Sequence, residues 1–415
     1  MRPTQSVHQK ITEYALIAMA LVVPPVSIAA NRAIVPISAV IALTVLFSIG
    51  PKRLWNKVVG LNRILMISAL VFIAILALST LWTHNPERGL VTVGKVFGTF
   101  SVATILVLAI STVEIYIAKR ITWTIIGSTL AVMAYLGIDF LSNGFFSLEL
   151  LNQGAQKYYG YYWYKSAAAL LGLCIWIVVL MLWRAGRAWL ALLLVVVYGA
   201  LTYALGANSV AAAVVGGAVC GLVFCMLGRY RAWITFIAIS ILIVCQPLII
   251  KHFVSPAAVS AEMPQGESIS GSTVYRLYIW DFVSDRIFEK PVLGWGVGAS
   301  RNIGEGELAI DPTRGEIGEA VPLHPHNAFL QLHLEMGIAG LLLSLVPIGV
   351  ILWRLNLPAV TFPERFAGFG LLFATMFQYG VSYSVWSSWW NAAVLFTLAI
   401  MVAAWRSRDT DHPAV

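Results

Sequence analysis

Three of the seven histidines in this chain, His324, His326 and His333, fall within ten residues. Pro325 prevents a helix from continuing out of the upstream chain, so we expect a new helix to begin at His326 or Asn327, with asparagine as N-cap. An imidazole there can titrate near neutral pH and act as a general base. The alternatives are an interfacial histidine beside an ordinary cap, or a metal site, although His-x-His without a third ligand is a weak zinc signal.

Four cations could hold phosphate oxygens. Arg276 lies early in an amphipathic stretch, and Arg88, Lys95 and Lys165 lie near the starts of long apolar runs. The planar guanidinium of arginine binds phosphate oxygens in bidentate fashion, whereas lysine offers a point charge. Ordinary contacts with lipid phosphates, and snorkelling of each lysine to the interface, are the alternatives.

Carboxylates offer a rival catalytic base. Asp281 and Asp285 are four residues apart and would share one helix face, while Glu305 and Glu307 would share a strand face if that stretch is extended. No Asp-x-Asp motif occurs between residues 253 and 325, so we expect no metal ion. A solvated acidic surface is the alternative.

The composition predicts an integral membrane protein. Apolar residues make up 59% of the 415 residues and charged residues only 11%, whereas a soluble domain carries roughly 25% charged residues. The four cysteines all lie inside apolar runs without a Cys-x-x-Cys pair, which indicates neither a disulfide framework nor a metal site.

A helix that crosses about 30 Å of hydrocarbon needs about 20 mostly apolar residues. The chain contains twelve such stretches: 11–30, 33–50, 64–82, 90–112, 121–142, 166–183, 188–206, 209–228, 232–252, 327–353, 366–385 and 388–405. The predicted fold is an all-α integral membrane protein with about 12 transmembrane helices. Residues 1–252 would hold nine of them and residues 326–415 three, separated by one large loop at 253–325.

The positively charged residues predict the orientation, because they favour the cytoplasmic side. Sixteen lie in the tails and in one set of loops: Arg2, Lys10, Lys52, Arg53, Lys57, Arg63, Lys119, Arg120, Arg184, Arg187, Arg229, Arg231, Arg354, Arg365, Arg406 and Arg408. Five lie on the opposite side: Arg32, Arg88, Lys95, Lys157 and Lys165. Both termini are therefore expected in the cytoplasm and the large loop outside it. Most of the net charge of +8 is then explained by the positive residues that set the orientation, so we expect no nucleic-acid partner.

The large loop shows internal order. Five apolar residues recur at helical spacing before Pro291: Tyr275, Ile279, Phe282, Val283 and Phe288. With Ser270-Gly271-Ser272 in front, they predict a capped amphipathic helix that lies against the membrane surface. The glycines around Trp295 predict a turn. The aromatic residues of 158–164 predict a belt at the headgroup level, with sugar stacking as the alternative.

One motif resembles a known family. His326-Asn327 is followed by nine residues and then Gly337-Ile338-Ala339-Gly340, which is similar to the signature of the bacterial O-antigen ligases. The layout of about twelve spans, with one large periplasmic loop before the motif helix, is similar too. Six further residues resemble the Arg…Trp…Pro-x-x-Gly-x-Gly pattern of the wider ligase and polymerase superfamily: Arg276, Trp280, Pro291, Gly294, Gly296 and Gly298.

The resemblance implies glycosyl transfer at the periplasmic face of the bacterial inner membrane, without a metal or another cofactor. The donor would be a polysaccharide on undecaprenyl pyrophosphate, and the acceptor a sugar hydroxyl of lipid A–core. His326 would be the general base and Arg276 would stabilise the pyrophosphate. The further candidates for substrate binding are Arg88, Lys95, Lys165, His324 and Asn327.

The chain departs from the family pattern at one position. Many relatives carry Ser-Arg at the outer start of the span near residue 208, where this chain has Asn208-Ser209-Val210. Arg88, Lys95 and Lys165 could together supply the missing positive charge.

Two other functions stay open. An O-antigen polymerase would use a similar donor, although the His-Asn…Gly-x-x-Gly signature favours the ligase. A transporter or flippase commonly has twelve spans, but would place charged or broken helices at the bilayer midplane. Here the titratable residues concentrate in one loop and at helix ends, which favours a reaction at the membrane surface.

Overall fold

The computed structural model describes residues 7–50, 63–150, 164–262, 273–312 and 314–408. Its first eight helices are α1 (Val7–Ala29), α2 (Ile34–Ile49), α3 (Arg63–Leu78), α4 (Pro86–Thr112), α5 (Ile115–Leu141), α6 (Lys165–Arg184), α7 (Ala188–Ala204) and α8 (Asn208–Met226). The later helices are α9 (Arg231–Val244), α10 (Gln246–Phe253), α11 (Pro256–Ala261), α12 (Thr273–Glu289), α13 (Ala328–Leu355), α14 (Phe362–Val381) and α15 (Ser388–Arg406). Strands β1 (Leu308–Asp311) and β2 (Gly315–Glu319) form an antiparallel hairpin.

The protein is an all-α, multi-pass membrane protein. Nine helices in the described part of the chain are long and apolar enough to cross a bilayer. Helices α9 and α10 pass the same test as a pair but bend by 61° at their break, and α7 is apolar but shorter. Eleven of the twelve predicted intervals each fall on one α-helix, and 232–252 falls on the bent pair α9 and α10. The count of twelve crossings stays a prediction.

Helix α6 lies at the centre of the bundle. Every residue from Ala167 to Leu180 is buried, as expected for a helix that is apolar on all sides. It packs against α1, α5, α7, α8, α14 and α15. A Cβ at Gly217 or Gly370 would lie 2.6 or 2.2 Å from the ring of Trp176, so glycine is what lets α8 and α14 approach α6 so closely.

The predicted amphipathic helix is α12, but its apolar face is covered by protein. Ile279, Val283 and Ile287 are buried against Leu330 and Leu334 of α13. Phe288, by contrast, is 46% exposed. The expectation that this face lies against the membrane surface is therefore wrong, because α13 supplies the apolar partner. The proposed capping residues 270–272 lie outside the described residues.

The predicted glycine turn is confirmed. Gly294, Gly296 and Gly298 have φ values of 67°, 90° and 80°, and residues 291–298 are called the glycine loop below. This loop docks where α13 breaks at Gly337, whose φ is 62° and ψ −166°. A Cβ at Gly337 would lie 2.1 Å from the carbonyl oxygen of Val292. The motif glycine therefore makes room for the glycine loop.

The two predicted pairs of carboxylates have different outcomes. Asp281 and Asp285 do share a helix face, and both carboxylates lie 2.9 Å from the ammonium of Lys251. Glu305 lies in a turn before β1, so the proposed strand face shared with Glu307 is wrong.

Predictions at these positions fall outside the described residues: Arg2, Lys52, Arg53, Lys57, Lys157 and the aromatic residues 158–163.

Candidate functional site

The site lies at the end of the bundle that carries residues 254–262, 273–312 and 314–327, called the loop face below. Here Arg276 of α12 donates from Nη1 to the carbonyl oxygen of Val381, at 2.8 Å. Nδ1 of His326 lies 3.2 Å from the next carbonyl oxygen, that of Ser382. The structure thus places the two predicted catalytic residues on adjacent carbonyls at the end of α14.

The contact with Ser382 favours one tautomer of His326. A carbonyl oxygen only accepts, so this contact is a hydrogen bond when Nδ1 carries the proton, and the lone pair of the neutral ring is then on Nε2. Burial, and next the positive charge of Arg276, lower the pKa of His326 from 6.5, while the hydrogen bond to Ser382 acts in the opposite direction. Neutral pH therefore favours the form that can accept a proton.

The backbone of His326 is strained. Its φ is 55°, a left-handed conformation that costs a residue other than glycine about 1–3 kcal/mol. Nδ1 of His324 accepts the His326 N–H at 3.0 Å, and Nε1 of Trp280 donates to the carbonyl of Pro325 at 2.8 Å. Asn327 caps α13 through its side-chain oxygen, which confirms the predicted N-cap. These contacts hold the imidazole at the start of α13.

Positive charge accumulates around the two imidazoles, whose ring centroids are 4.3 Å apart. Burial, then the charges of His326, Arg301 and Arg276, lower the pKa of His324 to about 3. Arg276 is also close enough to Lys165 for their charges to repel each other. Arg301 is exposed, and its side chain forms no hydrogen bond or ion pair within the described ranges. Such a cluster of cations attracts an anionic ligand.

The position where the family resemblance leads us to expect Ser-Arg borders this site. The hydroxyl of Ser209 lies 3.1 Å from the hydroxyl of Ser382. The following residue, Val210, is buried, and one of its methyl groups would lie 2.9 Å from a Cβ at Gly172. An apolar side chain therefore packs against α6 where the resemblance leads us to expect an arginine.

Glu335 is a buried hub that joins two loops of the site. Its carboxylate is wholly buried within α13 and accepts hydrogen bonds from the N–H of Gly298 and from Nε1 of Trp386, the latter at 2.7 Å. Gln331, one turn earlier, donates to Glu335 at 3.0 Å and accepts from the N–H of Val385 at 3.3 Å. A buried carboxylate is costly unless N–H donors surround it, as they do here.

Glu335 acts on the candidate site through the two loops that it holds. One loop that it holds runs from Gly298 to Arg301, and Ser300 donates from its N–H to Glu335 at 3.4 Å. The other is the segment 381–386, whose first two carbonyls contact Arg276 and His326. Glu335 and Gln331 thus connect the loop that carries Arg301, and the segment that carries the Ser382 carbonyl, to α13.

The remaining predicted binding residues are not members of this cluster of cations. Arg88 is exposed in the first turn of α4, near Gly89, where a Cβ would lie 3.0 Å from Val297 of the glycine loop. Lys95 lines a cleft between α2, α4 and α15. Asn327 is buried, with its oxygen used for the cap. Binding of substrate by these three stays a prediction.

Sequence analysis missed Glu335, Gln331 and Arg301. The signal for the first two was a carboxylate and an amide four residues apart inside an apolar span, where polar side chains are costly and tend to be functional. Arg301 carried no local signal. Within the described ranges, no group of three or more His, Cys, Asp or Glu side chains could hold a metal ion.

Comparisons with known proteins cover this site. Residues 158–345 match the sequence model of the family described as O-antigen ligase. A predicted polysaccharide ligase of Rickettsia typhi is 30% identical over 336 residues, which are 80% of this chain and 78% of that protein. Another, from Rickettsia prowazekii, is 28% identical over 336 residues, with the same shares. A third, from Rickettsia conorii, is 29% identical over 285 residues, 67% of this chain and 65% of that protein.

Proposed function

Because this chain belongs to the O-antigen ligase family, a family of membrane enzymes that ligate polysaccharide, we propose a specific reaction for it. The protein transfers a polysaccharide from undecaprenyl pyrophosphate to a sugar hydroxyl of lipid A–core. The reaction takes place at the periplasmic face of the inner membrane, with both termini in the cytoplasm. It needs no metal ion.

In this reaction the acceptor hydroxyl oxygen attacks the anomeric carbon of the donor sugar. Nε2 of His326 takes the hydroxyl proton as the new C–O bond forms. The bond from the anomeric carbon to the phosphate oxygen breaks, and undecaprenyl pyrophosphate leaves with the electron pair. Arg276 stabilises the charge on this leaving group, because a guanidinium can hold two phosphate oxygens at once.

The observation that carries the proposal is the position of Arg276 and His326 on the adjacent carbonyls of Val381 and Ser382. A base and a phosphate-binding cation on neighbouring backbone groups can act on two substrates that are bound together. The base acts on the acceptor hydroxyl, and the cation acts on the pyrophosphate leaving group. The lowered pKa of His326 supports the role of base, since the ring is neutral when the acceptor arrives.

Lys165 takes the role of the arginine that relatives carry beside Ser209. Its charge lies within range of Arg276, so both can act on one pyrophosphate. A lysine is a point charge without the fork of arginine. The Lys165→Arg variant should therefore keep activity, and Lys165→Gln should raise the KM for donor.

Reconstitution tests the function directly. Purified protein is mixed with undecaprenyl-pyrophosphate-linked O-antigen and lipid A–core, with and without a chelator. Equal formation of the lipid A–core conjugate in both reactions is the expected result. Elongation of the donor polysaccharide would instead identify a polymerase, and loss of product with chelator would overturn the metal-free mechanism.

The orientation has its own test. A labelling test needs an exposed position in the large loop for an introduced cysteine, in a background without native cysteines. Ser300 is buried, whereas Glu316 of β2 is exposed and is therefore the better position. We expect Glu316→Cys to react with a membrane-impermeant thiol reagent once the outer membrane is permeabilised. Labelling only after lysis of the inner membrane would contradict the orientation.

A further inference from the structure

A narrow cleft opens between α2, α4 and α15. Its volume is about 240 Å³. Its lining residues along α4 run from Lys95 to Leu106, which at 1.5 Å per residue is a length of roughly 16 Å. Small and apolar residues make up most of the lining, among them Ala39, Gly98, Val102, Ala103, Leu395 and Phe396. The cleft has the dimensions and chemistry of a site for a hydrocarbon chain.

The two ends of the cleft differ in polarity. Lys95 is the one charged residue among those that line it, and in the described part of the chain its ammonium forms no hydrogen bond or ion pair. Ser38 lines the same cleft, and its hydroxyl is buried without a hydrogen-bond partner among the described residues. A buried hydroxyl normally has a partner. The cleft therefore fits an apolar chain that ends in an anionic, hydrogen-bonding group.

Two connections place the polar end beside the candidate site. Asn31, in the turn that leads into α2, donates to the hydroxyl of Ser166 at 2.9 Å, and the residue before Ser166 is Lys165. Ser388, which lines the cleft at the start of α15, follows the segment 381–386 whose carbonyls contact Arg276 and His326. A chain in the cleft would thus emerge at the loop face next to the cluster of cations.

We propose that this cleft binds the polyprenyl chain of the lipid-pyrophosphate donor, with Lys95 against the phosphate at the end of that chain. The inference rests on the proposed function and deepens it by giving the donor chain its own site. The position of the polar end favours the donor over an ordinary membrane lipid, because the pyrophosphate must reach Arg276 while its chain stays in the bilayer.

The test uses two glycines of α4. At both Gly94 and Gly98 an added Cβ meets nothing within 4 Å, but only Gly98 is among the residues that line the cleft. Gly98→Leu therefore fills the cleft, and Gly94→Leu is the matched control. Transfer to lipid A–core is measured in nanodiscs with two donors that carry the same glycan, one on undecaprenyl pyrophosphate and one on geranyl pyrophosphate.

We expect the wild type to prefer the undecaprenyl donor by about tenfold in kcat/KM, since the longer chain makes more van der Waals contacts in the cleft. Gly98→Leu should slow the long-chain donor alone and so remove the preference, whereas Gly94→Leu should retain it. Lys95→Gln should raise the KM of both donors, because both carry the phosphate.

The outcomes against the proposal are distinct. A Gly98→Leu variant that keeps the wild-type preference, or that slows both donors equally, overturns the assignment of the cleft to the donor chain while leaving the ligase function intact. An unchanged KM of both donors in Lys95→Gln overturns the phosphate contact. Absence of transfer by the wild type with either donor overturns the ligase function and this inference together.

Discussion

The candidate site and the opposite end of the helix bundle use charge in different ways. At the end opposite the loop face, Arg184 and Arg408 both bind the carboxylate of Glu364, and Arg120 binds Glu13. These ion pairs join helices and cancel charge. At the loop face, Lys251 and Arg286 also form ion pairs with carboxylates. At the candidate site itself, Arg276 donates to a backbone carbonyl, and like charges accumulate around the histidines.

This difference indicates which part of the bundle can bind an anion. Opposite charges that are already paired have little left to offer a ligand, whereas a cluster of like charges is relieved when an anion binds. The buried carboxylate of the candidate site fits this interpretation. Among the described residues, Glu335 has N–H groups and the Ser300 side chain as hydrogen-bond partners and no cation, so it positions the loops without neutralising a cation.

The largest effect is expected at His326. His326→Ala removes the general base, so the transfer rate should fall by about 10²–10⁴-fold, while the thermal midpoint in detergent stays near that of the wild type. Single-turnover transfer with bound donor measures the chemical step. Near-wild-type transfer would show that His326 is not the base, and His324 would be the next residue to test.

Glu335 and Glu364 offer a direct comparison of the two ends. Glu335→Gln replaces an acceptor of several hydrogen bonds by an amide with one oxygen, and each lost hydrogen bond is worth about 0.5–1.5 kcal/mol. We expect kcat to fall about tenfold, because the segment 381–386 shifts. Glu364→Gln should instead lower the thermal midpoint with kcat unchanged. The reverse pattern would contradict the division of roles.

The charge on Arg276 should also be visible in the pH dependence. Since this charge lowers the pKa of His326, wild-type transfer should persist below pH 6.5 and fall only when the imidazole becomes protonated. In Arg276→Gln the pKa rises, so the acid limb of the pH–rate profile should move to higher pH. An unmoved acid limb, measured at saturating donor, would show that the two groups do not interact.

The smallest effect is expected for His324. Its Nδ1 accepts the N–H of His326, and the pKa of about 3 keeps it neutral across the working range. His324→Asn retains an acceptor and should lower kcat by less than His324→Ala does. Equal loss in both variants, beyond that of His326→Ala, would give His324 the larger catalytic role.

Local patterns predicted the helices and the cap but not the pairing of distant segments. Runs of apolar residues identified the helical intervals, Asn327 identified the start of α13, and the glycines of 294–298 identified a turn, because each depends on neighbouring residues. The burial of α12 against α13 depends on residues about 50 positions apart along the chain. The meeting of Ser209 with Ser382, and of Glu335 with Trp386, likewise arises from tertiary packing.

We infer that His326 and Arg276 have different roles at one site, and parallel donor-binding measurements separate the two roles. Binding of undecaprenyl-pyrophosphate-linked O-antigen is measured for purified wild type, His326→Ala and Arg276→Lys. We expect His326→Ala to bind donor nearly as well as the wild type, and Arg276→Lys to bind it more weakly, because the lysine keeps the charge but loses the bidentate fork. Weak binding by His326→Ala together with normal binding by Arg276→Lys would contradict the claim.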